Sequence, residues 1–154
     1  MAHPSGTGRP QVLTFDNQFI ASYRDMSVPF QYSRHYTLEE AREMIPQIEQ
    51  WLGEIHALNL QQEECRGWQH AMFEEGHDLG GNQIEDEVRN LSRLLHLLQE
   101  FKDREILITD LSRGHVDFPS MMGGEEIFLC WEAGQSDIIH WHALNSDLAD
   151  RKPV

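Results

Sequence analysis

Glu126-Ile127-Phe128-Leu129-Cys130-Trp131-Glu132-Ala133-Gly134-Gln135-Ser136-Asp137-Ile138-Ile139-His140-Trp141-His142 reads as two strands around a turn. Ile127, Leu129 and Trp131 alternate along the first strand, and Ile139 and Trp141 along the second. A five-residue loop, Ala133 to Asp137, puts both apolar sets on one side. Trp131 then faces Ile139, and Leu129 faces Trp141. A loop one residue shorter scrambles that face. Side chains alternate strictly along a strand, so the other face must carry Phe128, Cys130, Glu132, Ile138, His140 and His142. Cys130 falls opposite His140 in this register.

The period-two pattern extends toward the N-terminus. Ile106 to Leu111 reads as a strand, Ser112-Arg113-Gly114 as a turn, and His115 to Ser120 as an extended segment. Pro119 pushes Phe118 extended and bars a central strand. With Gly123-Gly124 as a further turn, the segment predicts a meander of two or three antiparallel strands.

Upstream the period is helical. Thr37-Leu38-Glu39-Glu40 is a capping box. Ala41, Ile45, Ile48, Leu52 and Ile55 follow at spacings of 4, 3, 4, 3, a coiled-coil-like seam that Met44, Trp51 and Leu58 widen. Pro46 removes one hydrogen bond within it and predicts a kink near residues 42–45. After Leu58 the phase slips, then Cys65, Trp68 and Met72 resume it, and Gly76 ends the helix. His77 to Gly81 reads as a turn. A second helix starts at Asn82, with Glu85 as its capping partner. Its seam is Ile84, Val88, Leu91, Leu95 and Leu98, again 4, 3, 4, 3, thickened by Leu94, Leu97 and Phe101. Two matching seams joined by a Gly-rich turn predict an antiparallel helical hairpin. The expected fold is therefore α+β: a long antiparallel helical hairpin followed by a small antiparallel two- or three-stranded sheet.

The chain has 154 residues, which suits one domain. Residues 34–154 are expected to form it, with 1–33 an N-terminal extension that is flexible to about residue 11. Val12 to Phe15 and Phe19 to Ala21 fit a short strand or a peptide lying across the domain. With 12 Lys and Arg against 26 Asp and Glu, the net charge is −14. That charge repels phosphate and argues against nucleic acid as a partner. No apolar run reaches the roughly 18 residues a membrane helix needs. No charged region followed by an apolar stretch opens the chain, so no secretory signal is expected. Two cysteines far apart, Cys65 and Cys130, suit reduced thiols and a cytoplasmic setting.

Tyr36-Thr37-Leu38-Glu39-Glu40-Ala41, Val116-Asp117-Phe118-Pro119, Leu129-Cys130-Trp131 with Gly134, and Trp141-His142 occur in that order. In this combination the chain resembles the prokaryotic family catalogued as domain of unknown function 2203, over residues 34–154. The family pattern has an acid where this chain has Gln135, and a Gly-Phe where it has Asp147-Leu148; Arg151 fits. The resemblance implies a small prokaryotic cytoplasmic protein and brings no activity with it.

His140-x-His142 is the leading candidate for chemistry. Residues i and i+2 of a strand point the same way about 6.6 Å apart, which lets two imidazoles share one metal. Asp117, taken from the resemblance and read as lying in a loop before Pro119, supplies a carboxylate. Glu40, at a helix start, could approach the sheet edge. Such a set suits zinc or non-haem iron. The competing reading has Asp117 accepting a hydrogen bond from His142, His140 half exposed, and Glu40 closing its capping box. Cys130 is either a soft ligand beside His140 or a small apolar side chain; a Cys–His nucleophile pair lacks an oxyanion hole here. Trp131 and Trp141 read as core. His70 and His77, beside Glu74-Glu75, form a poorer metal candidate. His96 lies off the seam. No phosphate loop, GxSxG or HExxH occurs.

Three functional classes follow: a metal-binding protein; an interaction or adaptor module using the helical hairpin with Trp51 or Trp68; and an accessory subunit docked through residues 12–33. The two seams also predict a homodimer, because three short strands offer them little to cover.

Overall fold

The computed structural model describes residues 30–76, 81–146 and 148–154. The readings made for residues 1–29, for the turn at 77–80 including His77, and for Asp147 lie outside the described residues.

Helix α1 spans Leu38–Glu74. Its start is the capping box: the Glu40 N–H donates to Thr37 Oγ1 at 3.2 Å, and the Thr37 N–H donates to the Glu40 carboxylate at 2.8 Å. The helix runs on through Pro46 to Glu74 and its C-cap Glu75, and is followed by Gly76, whose φ of 76° is the left-handed conformation that glycine adopts at little cost. Its buried residues are Ala41, Ile45, Ile48, Trp51, Leu52, Ile55 and Leu58. None is buried beyond Leu58, so the phase slip in the sequence marks where α1 leaves the core. Trp51 is buried, with its ring edge-on to Phe101 at 5.4 Å between centroids. It therefore cannot serve as a surface marker, whereas Trp68 stays 40% exposed.

Helix α2 spans Asn82–Asp103. Its N-cap is Gly81, with φ 102°, and no side chain caps it; the expected Asn82–Glu85 capping pair is one residue out of place. The expected use of its seam also fails. Leu97 and Phe101 are buried and Leu94 packs against the core, while Ile84, Val88, Leu91, Leu95 and Leu98 are exposed. α2 meets α1 through Glu54 with Arg93, Gln61 with Asn90, and Gln69 with Glu87.

The chain then forms one antiparallel sheet of five strands in sequence order: β1 (Leu107–Asp110), β2 (His115–Met122), β3 (Glu125–Glu132), β4 (His140–Ala143) and β5 (Lys152–Pro153). This is an α+β arrangement, two helices followed by an antiparallel sheet. The sheet is wider than the two or three strands expected, because the Pro119 segment pairs along its whole length with β3 as an internal strand and a two-residue C-terminal strand adds the far edge. The register at β3–β4 is the one alternation predicts, with Leu129 opposite Trp141 and Cys130 opposite His140. Trp131 does not meet Ile139 across the ladder, because β4 begins only at His140. The turn carries Ile138 into the core and leaves Ile139 49% exposed, with its carbonyl accepting the Val154 N–H, the reverse of the predicted faces. Asp137 fixes this turn by accepting the Ile138 N–H at 2.7 Å and the Arg42 guanidinium at 2.6 and 2.9 Å.

Pro119 does sit in an internal strand. Its carbonyl accepts the Tyr36 N–H at 2.7 Å, so the edge of Pro119 that lacks an N–H points away from β3. On that side β1 has already ended, its last partner being Asp117. No ladder bond is lost, and the proline is tolerated. At the β1–β2 turn, Gly114 has φ 65°, and a Cβ there would lie 2.6 Å from Ala133 Cβ, so only glycine fits.

Val116, Phe118, Ile127, Leu129 and Trp131 join the α1 and α2 residues in one core. That core takes one face of the sheet. Alternation leaves His115, Asp117, Cys130 and His142 on the other.

Candidate metal centre

Four titratable or metal-ligating side chains are buried on that second face: His115, Asp117, Cys130 and His142, with relative exposures of 2, 1, 2 and 5%. Asp117 and Cys130 are cross-strand partners in the β2–β3 ladder, and His115 precedes Asp117 by two residues. One ligand atom each of His115, Asp117 and Cys130 lies within 4.8 Å of the others. His142 reaches the same carboxylate from β4, with Nε2 3.5 Å from Asp117 Oδ2. His115 Nδ1 is 3.9 Å from Asp117 Oδ1. Asp117 thus lies in strand β2 rather than in a loop, and its carboxylate is the centre of the group.

The tautomer of His142 is set locally. His142 Nδ1 lies 2.8 Å from the Ala143 carbonyl, which can only accept, so Nδ1 carries the proton and Nε2 turns toward Asp117. The Thr109 hydroxyl stands 2.5 Å from His115 Nδ1 and donates to the His115 carbonyl at 3.3 Å. The hydroxyl engages His115 Nδ1 in either tautomer, and His115 Nε2 is left without a partner.

Three buried polar atoms then have no hydrogen-bond partner among the described residues: His115 Nε2, Asp117 Oδ1 and His142 Nε2. Each such atom ordinarily costs about 1–3 kcal/mol, and more for a charged group. Burial pushes His115 below the usual imidazole range, more strongly than Asp117 pulls it up, so its neutral form is favoured. Burial, and then the Asp117 carboxylate, push the Cys130 thiol upward, so without a cation it stays protonated. Arg151 acts electrostatically on both His115 and Cys130, which brings the arginine of the family pattern to this group.

Phe128 packs on His142 at 5.3 Å between ring centroids, and Tyr32 packs edge-on against Phe128 at 5.4 Å. Tyr32 is held by Glu126, which accepts the Gln31 and Tyr32 N–H groups at 2.7 and 2.9 Å and lies 2.9 Å from His35 Nε2.

Of the residues read as ligands from sequence, the structure brings His142 to Asp117. His140 is half-buried on β4 opposite Cys130, and, like His142, it is outside the three residues whose ligand atoms lie within 4.8 Å of one another. Glu40 lies on α1, on the core side of the sheet, with its carboxylate engaged by Thr37. His70 is exposed and pairs with Glu74 at 3.6 Å, and His96 with Glu100 at 3.6 Å. His115 is the residue that sequence reading missed. It stands in a His-x-Asp triplet, and the i, i+2 rule that singled out His140-x-His142 applies to it equally once β2 is known to be a strand.

Among the described residues no helix is long and apolar enough to cross a membrane. No curated protein and no solved structure matches the chain. Residues 34–154 match the family described as Uncharacterized conserved protein (DUF2203), and the chain belongs to that family.

Proposed function

We propose that the chain is a metal-binding protein whose centre is built from Asp117, His142, His115 and Cys130. The observation that carries this is the convergence of unsatisfied acceptors. His142 Nε2 faces Asp117 Oδ2 at 3.5 Å, both groups are buried, and His142 Nε2, His115 Nε2 and Asp117 Oδ1 have no hydrogen-bond partner among the described residues. A positive centre between them satisfies both groups at once. Two imidazoles, a carboxylate and a thiolate form a borderline donor set suited to zinc, with iron second. A cation would also lower the thiol that burial now raises, making Cys130 a ligand on loading. The depth of the group favours a closed, structural centre over one with an exchangeable position. His140 and Glu40 are assigned no ligand role in this reading.

The second reading is a proton in the same place, with His142 charged and Asp117 its counter-ion. Elemental analysis of tag-free protein separates the two. The metal reading expects about one equivalent of zinc or iron per chain, and near-complete loss in His142→Ala and Asp117→Asn. Cobalt substitution should give a thiolate charge-transfer band that Cys130→Ser abolishes. Less than a tenth of an equivalent of any transition metal, in protein that also fails to take up cobalt, leaves the proton-bridged pair in its place.

The setting agrees with this reading. Both thiols are free, Cys65 on α1 and Cys130 in the sheet, as in a reducing cytoplasm. The order of the α1–α2 contacts supports an antiparallel helical hairpin, because residues 54, 61 and 69 of α1 pair with 93, 90 and 87 of α2. The hairpin's outer surface supports a role in association as well.

A further inference from the structure

Helix α2 has two apolar faces and the domain uses one. Leu94, Leu97 and Phe101 are spent on the core. Ile84, Val88, Leu91, Leu95 and Leu98 remain exposed at 50, 59, 48, 58 and 39%. Scattered exposed leucines need no explanation, but five large aliphatic side chains in one row do. The spacing is 4, 3, 4, 3. Its mean of 3.5 residues is the repeat that keeps a helix facing another helix, rather than a sheet or a small ligand.

We infer that this row is a self-association surface, and that its occupant is α2 of a second copy, packed antiparallel about a twofold axis near Leu91. The row itself argues for a like helix. It reads 4, 3, 4, 3 in one direction and 3, 4, 3, 4 in the other, so a reversed copy presents nearly the same knobs and holes. Ile84 then lies across from Leu98 of the partner subunit, Val88 across from Leu95 of the partner subunit, and Leu91 beside its own counterpart. Charge points the same way. In a chain of net charge −14, the residues bordering the row on its outer side are Glu85, Ser92 and Gln99, with one charge among them. A parallel copy would stack two Glu85-Asp86-Glu87 clusters, whereas the antiparallel one separates them and also opposes the helix dipoles.

The test uses the full chain. Sedimentation equilibrium over rising concentration should approach twice the 17.9 kDa chain mass, and Leu91→Glu should return it to one chain mass with an unchanged far-UV spectrum. In a Cys65→Ser background, Leu91→Cys should form an intersubunit disulfide on oxidation, while Ile84→Cys should not. A single-chain mass at every concentration overturns the inference. So does a doubled mass that Leu91→Glu leaves untouched, which would place the contact elsewhere, residues 1–29 included. Self-crosslinking of Ile84→Cys overturns the antiparallel arrangement.

Discussion

His142 Nε2 and Asp117 Oδ2 stand 3.5 Å apart across the intervening strand β3, each buried, with the other ring nitrogen of His142 committed to the Ala143 carbonyl. The distance is long for a hydrogen bond, and a positive charge between the two groups would bind both.

Asp117→Asn should act in opposite directions on the two forms of the protein. In metal-depleted protein it removes a buried carboxylate whose Oδ1 has no partner, and stability should rise by about 1–2 kcal/mol. In metal-loaded protein it removes a ligand, and stability should fall. Paired thermal melts with and without chelator read the sign directly. A fall in both would instead fit the proton-bridged pair, in which Asp117 is the counter-ion of a charged His142.

The two thiols should differ in reactivity. Cys65 is half-buried on α1, whereas Cys130 is 2% exposed and pushed upward by burial and by Asp117. A thiol-disulfide reagent at mildly alkaline pH should label one cysteine per chain quickly and the second only on unfolding. Equal rates would contradict the described packing of β3.

Gly114→Ala should be costly. A left-handed φ for a residue with a side chain costs about 1–2 kcal/mol, and the 2.6 Å approach to Ala133 Cβ adds overpacking, for about 2–4 kcal/mol together. Urea unfolding measures it. Gly53→Ala, where a Cβ meets nothing, serves as the control and should be neutral or stabilising.

Glu126 should tie the segment at residues 31–35 to the sheet in a pH-dependent way. Burial pushes its carboxyl up, but the Gln31 and Tyr32 N–H groups and His35 outweigh that and hold it below the usual range. A carboxyl depressed in the folded state contributes fully above its unfolded pKa, about 4.3, and loses that contribution as pH falls through the folded value. Protection of the Gln31 and Tyr32 amides, corrected for the intrinsic exchange rate, should therefore hold at neutral pH and fall on acidification below about pH 4. Glu126→Gln should lower it at every pH. Protection indifferent to this substitution would remove the carboxylate from the tether.

Thr37→Ala should cost about 1 kcal/mol by removing the N-cap acceptor of α1. Metal content should not change, because the capping box lies on the core side of the sheet. The same holds for Glu40→Gln; a parallel loss of metal in that variant would return Glu40 to the ligand set.

The sequence by itself determined what depends on neighbours along the chain. The capping box at Thr37, the buried seam from Ala41 to Ile55 and the β3–β4 register follow from periods of 3.6 and 2, and those periods act within a few residues. Only the tertiary structure decided what depends on residues far apart. It settled which of the two apolar faces of α2 meets the core, since both have helical spacing and local physics does not rank them. It settled that Pro119 is harmless, since that depends on where β1 stops. And it settled the candidate centre. His115 and His142 approach one carboxylate only because β2, β3 and β4 lie side by side, and strand order is fixed by the packing of the whole sheet rather than by any of the triplets it brings together.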